Sequence, residues 1–283
     1  MKLLVEPCSK SINYIKKVDG LILAIEDYSV ESTCFFSLNE IVEVKKNNTC
    51  SVFVKMNKNL FNEDISVVKD ILIKLDENGI DGVFFYDLAI LELKKELNLD
   101  LDLIWNQTHM VNNYMTCDYY FNKGIKYALL GKEITLDEIK EIINNSKITS
   151  MVEVVSLPSV AFSKRKLVTN YYNDLGEKES RELVVQEKIT KDFYNVVEDN
   201  NGTSFYLNKI TNGTSIIKDL FECGCQYIIF REYGIDDFDE LVNDTESYIS
   251  SGCLDEEYVN KYKKLGDSTN FFFRKTIYKV TNY

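Results

Sequence analysis

Polar and cationic side chains follow directly after an apolar run in the middle of the chain. Residues 151–156 are mostly apolar, and Pro158 interrupts the run. Polar residues then come in close succession: Ser163, Lys164, Arg165, Lys166, Thr169 and Asn170. Because alternating α/β folds bind ligands at the C-terminal ends of their strands, this pattern predicts a buried strand that leads into a ligand-binding loop. A basic surface loop without a ligand is the alternative interpretation.

Other predicted strand ends carry polar side chains of two kinds. Gln107 and Asn112 follow the fifth predicted strand, and Arg231 ends the last one. A second group is acidic and also lies at predicted strand ends: Glu6, Glu26, Asp87 and Glu133. Carboxylates at one rim could hold a divalent metal ion. The interpretation that we favour is a set of salt bridges with Lys55, Lys132 and Arg231, so we predict no metal.

The histidine and cysteine content limits the chemistry further. His109 is the single histidine, which excludes an H-E-x-x-H motif and any site that needs two imidazoles. The seven cysteines contain no C-x-x-C, and their one close pair is Cys223 with Cys225. A lone C-x-C is a weak metal signal, so we interpret this pair as ordinary buried thiols beside a strand.

Apolar runs alternate with amphipathic segments along the first 170 residues. Short continuous runs such as LILAI and GVFF predict strands that are covered on both faces. Ser37 with Glu40, and Thr135 with Glu138, have the spacing of capping boxes at helix starts. Strands that alternate with helices through short connections indicate parallel βα units. We therefore predict an α/β fold with a TIM-barrel-like (β/α)8 core, in which CQYIIFRE is the eighth strand.

The alternation fails between residues 173 and 210. A charged linker precedes three strand-like segments, ELVVQEKI, DFYNVVED and TSFYLNK, and Asn200, Asn201 and Gly202 suit a hairpin turn between the last two. We predict a small antiparallel β insertion over residues 173–210, near the C-terminal third. Residues 255–283 are predicted to form a C-terminal helix and a strand-like aromatic tail. The whole chain, residues 1–283, is then a single domain.

The composition limits the partners and the compartment. The formal net charge of the 283 residues is −12, which opposes tight binding of nucleic acid by this chain alone. The start MKLLVEPCSK has no continuous apolar run of the kind found in a signal peptide, and no segment reaches the length of a membrane span. We therefore expect a cytoplasmic protein with no membrane contact.

Several segments, in order along the chain, resemble the short members of peptidase family U32, a group once called collagenase-like. They are EDYSV with FFSLNEI, NGIDGVFFYDLAIL, QTHMVNN, LGKEITLDEIKEI, SKRKLVTNYY and FFFRKTIYKV. The resemblance implies a TIM-barrel-like core, in agreement with the strand count. It implies no single function. Some members are named peptidases, others hydroxylate RNA bases, including the prephenate-dependent 5-hydroxylation of wobble uridine in tRNA, and others act in oxygen-independent ubiquinone synthesis.

Many members of this family hold an iron-sulfur cluster, and the resemblance implies where its ligands would lie. In those members the stretch that resembles SLPSVAFSKRKL has a His-Gly pair and then two cysteines seven residues apart. Without gaps, the histidine position is Val155 here, and the cysteine positions are Ser159 and Lys166. A hydroxyl and an ammonium cannot replace thiolates as ligands of cluster iron, so we predict no cluster. Lys166 and Arg165 would instead make an anion site.

The resemblance leads to three hypotheses. The first is a cluster-free subunit in prephenate-dependent tRNA uridine 5-hydroxylation, working beside a cluster-bearing U32 paralogue and reaching tRNA through that complex. The residues predicted to bind a small dianion such as prephenate are Arg165, Lys166, Asn170, Gln107, Asn112 and Arg231. The alternatives are a U32-type peptidase, for which His109 is the only imidazole base, and a non-catalytic barrel scaffold.

Overall fold

The strands of the main sheet close into a barrel. A computed structural model describes residues 1–107, 109–177, 182–252, 255–266 and 272. In this part of the chain the main sheet contains β1 (Lys2–Glu6), β2 (Gly20–Ile25), β3 (Phe35–Phe36), β4 (Ser51–Met56), β5 (Gly82–Phe85), β6 (Asp102–Trp105), β7 (Tyr127–Leu129), β8 (Thr149–Ser156), β13 (Thr211–Asn212) and β14 (Tyr227–Arg231). Eight of these described strands, β1-β2-β4-β5-β6-β7-β8-β14, pair in parallel, and β14 returns to β1. The predicted TIM-barrel-like core and its eighth strand are confirmed.

Helices follow most of the strands along the described chain, and most of these helices cover the outside of the barrel. They are α1 (Leu38–Asn47), α2 (Ile65–Glu77), α3 (Ala89–Leu97), α4 (Tyr114–Asn122), α5 (Leu136–Asn145), α6 (Leu167–Leu175), α7 (Ile217–Glu222), α8 (Phe238–Ser251) and α9 (Glu256–Tyr262). Both predicted capping boxes are present, because Ser37 and Thr135 accept hydrogen bonds from the backbone N–H of Glu40 and Glu138. The connection from β1 to β2 contains a 3-10 turn, Ile15–Lys17, in place of a longer helix. Within the described residues, no helix is long and apolar enough to cross a membrane.

The barrel interior is filled by one side chain from almost every strand. These residues form a buried cluster of their own: Leu4, Ile22, Phe53, Phe84, Ile104, Leu129, Met151 and Ile229. A second and larger apolar core lies between the strands and the helices. Because side chains along a strand alternate between the two faces, the residue two positions after each interior residue points toward the C-terminal mouth of the barrel.

A four-stranded antiparallel sheet lies beside the mouth. It contains β9 (Ser159–Ser163), β10 (Glu182–Gln186), β11 (Phe193–Asp199) and β12 (Gly202–Leu207), in the order β10-β11-β12-β9. The antiparallel insertion predicted for residues 173–210 is thus present, and the sheet also includes β9, which precedes that range. The stretch after Pro158, which we predicted to be a loop, is a strand and then the helix α6.

The C-terminal residues are described in part. The helix α9 lies within the range 255–283, where we predicted a C-terminal helix, and Phe272 is buried in the main core. The backbone carbonyl of Phe272 accepts a hydrogen bond of 2.8 Å from the N–H of Leu136. The strand-like tail that we predicted beyond it lies outside the described residues.

Candidate functional site

The charged side chains of the mouth follow from the two-residue period of the strands. Leu4, Met151 and Ile229 belong to the interior cluster. The residues two positions after them are Glu6, Glu153 and Arg231. All three are therefore aimed at the mouth, where barrels of this kind carry their active sites. Glu6 and Arg231 end β1 and β14, and Glu153 lies in the second half of β8.

Arg231 lies at the centre of a buried ion-pair network. Its Nη1 is 2.8 Å from Glu6 Oε2, and its Nε is 2.6 Å from Glu153 Oε2. Lys55 Nζ lies 3.0 Å from the other oxygen of Glu6, and Lys132 Nζ lies 3.0 Å from the other oxygen of Glu153. Three cations therefore share two carboxylates. Since a buried charge is tolerated only when it is paired, the network fixes the position of every group in it.

The network keeps its groups ionised. Burial opposes ionisation of Glu153, but the charges of Arg231 and Lys132 outweigh it and hold its pKa at about 2. The pKa of Glu6 is also lowered, against its burial, by Arg231 and Lys55. Burial lowers the pKa of Lys55 to about 8, although Glu6 favours its charged form. At neutral pH the network therefore carries one positive charge in excess.

A cleft of about 470 Å³ opens above this network. One wall is the start of the small sheet, Pro158 to Phe162, and the floor includes Lys132 and Arg231. The charged residues that line the cleft within the described chain are Glu31, Lys58, Lys132, Glu133, Lys164 and Arg231. Four cations and two carboxylates leave the lining positive in a chain whose net charge is −12. Such a cleft concentrates anions from solution.

Side-chain hydrogen bonds hold the small sheet over the mouth. Ser159 Oγ donates to Glu31 Oε1 at 2.8 Å, and Asn201 Nδ2 donates to the carbonyl of Ser29 at 2.9 Å. Lys58 Nζ donates to Asn201 Oδ1 at 3.1 Å. These contacts join β9 and the β11–β12 turn to loops of the barrel, so the cleft has a wall that the barrel alone would lack.

The opposite side of the cleft is uncharged. Asn57, Tyr86 and Asn106 follow directly after β4, β5 and β6, and all three line the cleft. Asn57 uses its Oδ1 to accept a hydrogen bond of 2.9 Å from the N–H of Val30. Asn106 is only 6% exposed. No hydrogen bond of its side-chain amide is found within the described part of the chain.

A second cleft, of about 780 Å³, lies between the small sheet and the loops that follow β2. Its charged lining residues among those described are Glu26, Asp27, Lys166, Glu198 and Asp199. Lys166 Nζ donates to the carbonyl of Asp199. Glu198 caps the start of α6 by accepting hydrogen bonds from Val168 N at 2.8 Å and from Thr203 Oγ1 at 3.0 Å. Four carboxylates and one ammonium make this cleft unfavourable for an anion.

The predicted substrate-binding residues occupy different places. Arg231 lies in the mouth network, whereas Lys166 lines the second cleft. Arg165 and Asn170 are exposed and line neither of these clefts. Gln107 Nε2 donates to the carbonyl of Tyr86 at 2.6 Å, and Asn112 Nδ2 donates to the carbonyl of His109 at 3.1 Å. Both amides thus support loops at the mouth, while His109 itself lines the cleft.

The residues of the predicted acidic rim also lie in different places. Glu6 is in the mouth network, Glu133 lines the mouth cleft, and Glu26 lines the second cleft. Asp87 accepts hydrogen bonds of 2.9 Å from the backbone N–H of Leu60 and of Ala89, so it fixes two loops. Of the salt bridges predicted between this rim and the cations, those of Glu6 with Lys55 and Arg231 are present. Lys132 pairs instead with Glu153, which also binds Arg231 and was not predicted.

The donor atoms that the structure provides do not suit an iron-sulfur cluster at the three family positions. Val155 is buried in the apolar core, Ser159 donates to Glu31, and Lys166 donates to Asp199. A cluster needs thiolates, and none of these positions offers one. Among the described residues, no group of three or more histidine, cysteine or acidic side chains has an arrangement that could hold a metal ion.

The cysteine pair Cys223 and Cys225 lies at the other end of the barrel. Their thiols donate to backbone carbonyls of Leu220 and Tyr227, each at 3.3 Å. Burial raises the pKa of Cys225 to about 12, so its thiol is protonated at neutral pH. The six described cysteines, which exclude Cys253, are free thiols.

The fold and site define a (β/α)8 barrel with a cationic cleft at its mouth and a small antiparallel sheet as one wall. The family model for peptidase family U32 matches residues 18–230, and the chain belongs to this family.

Two relatives from Bacillus subtilis (strain 168) align with this chain over different lengths. The chain is 26% identical to tRNA hydroxylation protein P2 in an alignment of 273 residues, and the match covers 85% of this chain and 85% of that protein. It is 20% identical to tRNA hydroxylation protein P1 over 157 residues, covering 54% of this chain and 37% of that protein.

Other similarities are more limited. The chain is 30% identical to an uncharacterized protease of Methanocaldococcus jannaschii over 115 residues, covering 40% of this chain and 28% of that protein. Among solved structures, 3-hexulose-6-phosphate synthase is 13% identical with a TM-score of 0.49, and the match covers 87% of this chain and 99% of that one.

Proposed function

We propose that this chain is a cluster-free subunit in the 5-hydroxylation of uridine in tRNA. The observation that carries the proposal is its alignment with tRNA hydroxylation protein P2 along 85% of both chains. The site is consistent with this role, because the mouth of the barrel is the cationic part of an acidic chain. The hydroxylation takes place in the cytoplasm, where tRNA is available.

The cationic side of the mouth cleft binds a small dianion, for which prephenate is the candidate. Arg231 approaches the cleft from the end of β14, Lys132 approaches it from the loop after β7, and Lys164 reaches it from the end of β9. Carboxylates form their strongest hydrogen bonds with groups of this kind. The acidic lining of the cleft that contains Lys166 favours the mouth cleft over that one as the site for the anion.

The chain works beside a second U32 protein that carries the cluster. The residues at the family's cluster positions are a valine, a serine and a lysine, which cannot ligate iron. Two relatives of this chain in one organism, P1 and P2, both bear the name tRNA hydroxylation protein, which supports a second, related subunit. The paralogue supplies the redox chemistry, and tRNA reaches this chain through the complex, because a net charge of −12 opposes binding by this chain alone.

Deletion of the gene should remove 5-hydroxyuridine and its derivatives from total tRNA, and the wild-type gene should restore them. Mass spectrometry of nucleosides from digested tRNA measures both effects. Cells that cannot make prephenate should lose the same nucleosides while this protein is present. Unchanged nucleosides in the deletion strain would refute the proposal. Hydrolysis of a general peptide substrate by the purified chain, with the nucleosides unchanged, would favour a U32-type peptidase.

A further inference from the structure

The phenol oxygen of Tyr206 is buried beneath the small sheet without a hydrogen-bond partner among the described residues. Tyr206 lies on β12, and the residue is only 4% exposed. The hydroxyl of Ser204 lies near it on the same strand, but the two hydroxyls form no hydrogen bond of normal geometry. Native proteins seldom leave a buried hydroxyl unsatisfied, because it loses the hydrogen bonds that it makes to water in the unfolded chain.

The ring of Tyr206 is packed so that its oxygen stays beneath the sheet. It forms a small apolar cluster with Leu157 and Val197, and its centroid lies 5.1 Å from that of Tyr233. Burial, and then the nearby charge of Glu6, raise the pKa of the phenol well above its usual value. The phenol therefore keeps its proton at neutral pH and is available as a hydrogen-bond donor.

A small cavity lies beside this side chain. Its lining includes Tyr206 and Tyr233, together with three charged residues of the mouth: Glu6, Glu31 and Arg231. The centre of a water molecule can occupy about 20 Å³ of this cavity. One bound water needs roughly 10–15 Å³ by the same measure, so the cavity has the size for a single water molecule.

Two charged groups in the lining have hydrogen-bonding capacity to spare. Glu6 Oε2 lies 2.8 Å from Arg231 Nη1, but this ion pair is not aligned as a hydrogen bond, so the oxygen can still accept one. Arg231 carries N–H donors on three nitrogens, and its ion pairs within the described chain use only Nη1 and Nε. With the hydroxyl of Tyr206, the cavity thus offers the two to four polar partners that a buried water requires.

We propose that this cavity binds one ordered water molecule, which accepts hydrogen bonds from Tyr206 Oη and Arg231 and donates one to Glu6 Oε2. The water connects β12 of the small sheet to the ends of β1 and β14. The wall of the mouth cleft is then held on the ion-pair network itself, in addition to the loops that Ser159 and Asn201 contact. This inference does not depend on the reaction that the cleft serves.

A crystal structure of the purified full-length chain tests the site directly. At a resolution that shows ordered waters, we expect one water within hydrogen-bond distance of both Tyr206 Oη and Glu6 Oε2. A direct hydrogen bond from Tyr206 to Ser204, or to any other protein group, with no water at the cavity would overturn the proposal.

Tyr206→Phe tests the same site in solution, because the sign of its effect depends on whether the hydroxyl has a partner. We expect the unfolding equilibrium constant in urea to rise about threefold to tenfold, the effect of losing one net hydrogen bond. Amide hydrogen exchange in β12 should also become faster. A hydroxyl without a partner would give the opposite sign, because its removal would relieve a buried unsatisfied group and lower the constant.

Two further tyrosines provide matched controls. Tyr14 is a buried phenol whose hydroxyl donates directly to Glu232 Oε2 at 2.8 Å, so Tyr14→Phe should be destabilised in the same direction. Tyr171 is 54% exposed, so Tyr171→Phe should leave the constant almost unchanged. A Tyr206→Phe protein that is more stable than the wild type, beside a destabilised Tyr14→Phe protein, would overturn the proposal.

Discussion

Arg231→Met should destabilise the protein by about 3–5 kcal/mol at pH 7, the range for removing one partner of a buried ion pair. The guanidinium contacts both carboxylates of the mouth network, at 2.8 Å from Glu6 and 2.6 Å from Glu153. Without it, burial opposes ionisation of Glu6 and Glu153, and Lys55 and Lys132 alone remain to balance them. Urea unfolding at pH 7 measures the loss.

The loss should shrink as the pH falls. In the wild type, the pKa of Glu153 is about 2, against its usual 4.5, so its charge stabilises the fold above that usual value. This contribution disappears as the pH falls toward 2. In Arg231→Met the pKa of the same carboxyl should rise, because burial is no longer outweighed. Protonation of Glu153 then removes a poorly compensated buried charge from the variant. The difference in unfolding free energy between wild type and Arg231→Met should therefore be smaller at pH 5 than at pH 7.

Two variants control this experiment. Arg165→Met removes an equal charge from an exposed position and should change the unfolding free energy by no more than about 0.5 kcal/mol. Adding Glu153→Gln to Arg231→Met removes one of the two buried carboxylates that have lost Arg231 as a partner, and it should recover part of the lost stability. A gap between wild type and Arg231→Met that widens toward pH 5 would contradict the assignment of the network.

Gly202→Ala should loosen the pairing of β12 with β9 within the small sheet. Gly202 has a φ of 148°, which side chains rarely adopt, and an added Cβ would clash with the carbonyl oxygen of Ser163 on β9. The strain and the clash together should cost about 2–4 kcal/mol. Amide hydrogen exchange should become faster in β9 and β12, while the barrel strands remain protected.

Gly176→Ala provides the matched control. Gly176 also has a positive φ, of 66°, but a Cβ there would meet nothing within 4 Å. Its cost should therefore be only the conformational one, about 1–2 kcal/mol, with no change of exchange in β9. If both variants behaved alike, the close approach of Gly202 to Ser163 would not be what keeps β12 paired with β9.

The barrel could be predicted because its elements are specified locally. Continuous apolar runs mark the strands, and the capping boxes at Ser37 and Thr135 mark two of the helix starts. The hairpin turn at Gly202 was predictable for the same reason, because two asparagines followed by a glycine strongly favour a tight turn. The strand β9 was not predictable in this way, because it is short and half exposed, and it pairs with β12 some forty residues later. Such pairing depends on contacts that no local pattern reveals.

The mouth was predicted only in part, because charge alone does not tell which way a side chain points. The sequence indicated Glu6, Lys55, Lys132 and Arg231 as a set of salt bridges. Glu153 was missed, since it lies inside an apolar run. The two-residue period of the strand could have identified Glu153, because it lies two positions after Met151 and so faces the same interior side.

The same period would have identified two uncharged residues of the cleft. Counting two positions on from Phe84 and Ile104 gives Tyr86 and Asn106. Lys166, in contrast, was predicted to face the main site because it follows a strand. The helix α6 begins directly after it, and its ammonium group binds the carbonyl of Asp199 in the other cleft. Neither this helix start nor the acidic cleft was visible in the spacing of the residues.

The central claim is that the cationic mouth cleft serves tRNA hydroxylation, and Lys132→Gln tests it most directly. Glu153 keeps Arg231 and Ser156 as partners in this variant, so the protein should remain folded while the cleft loses one charge. Mass spectrometry of tRNA nucleosides, in cells whose only copy of the gene is the variant, is the measurement. We expect the 5-hydroxyuridine derivatives to fall at least about tenfold, as for a lost charged contact worth roughly 1.5–3 kcal/mol. Arg165→Gln should leave them unchanged. Wild-type levels with Lys132→Gln, or an equal fall with both variants, would contradict the claim.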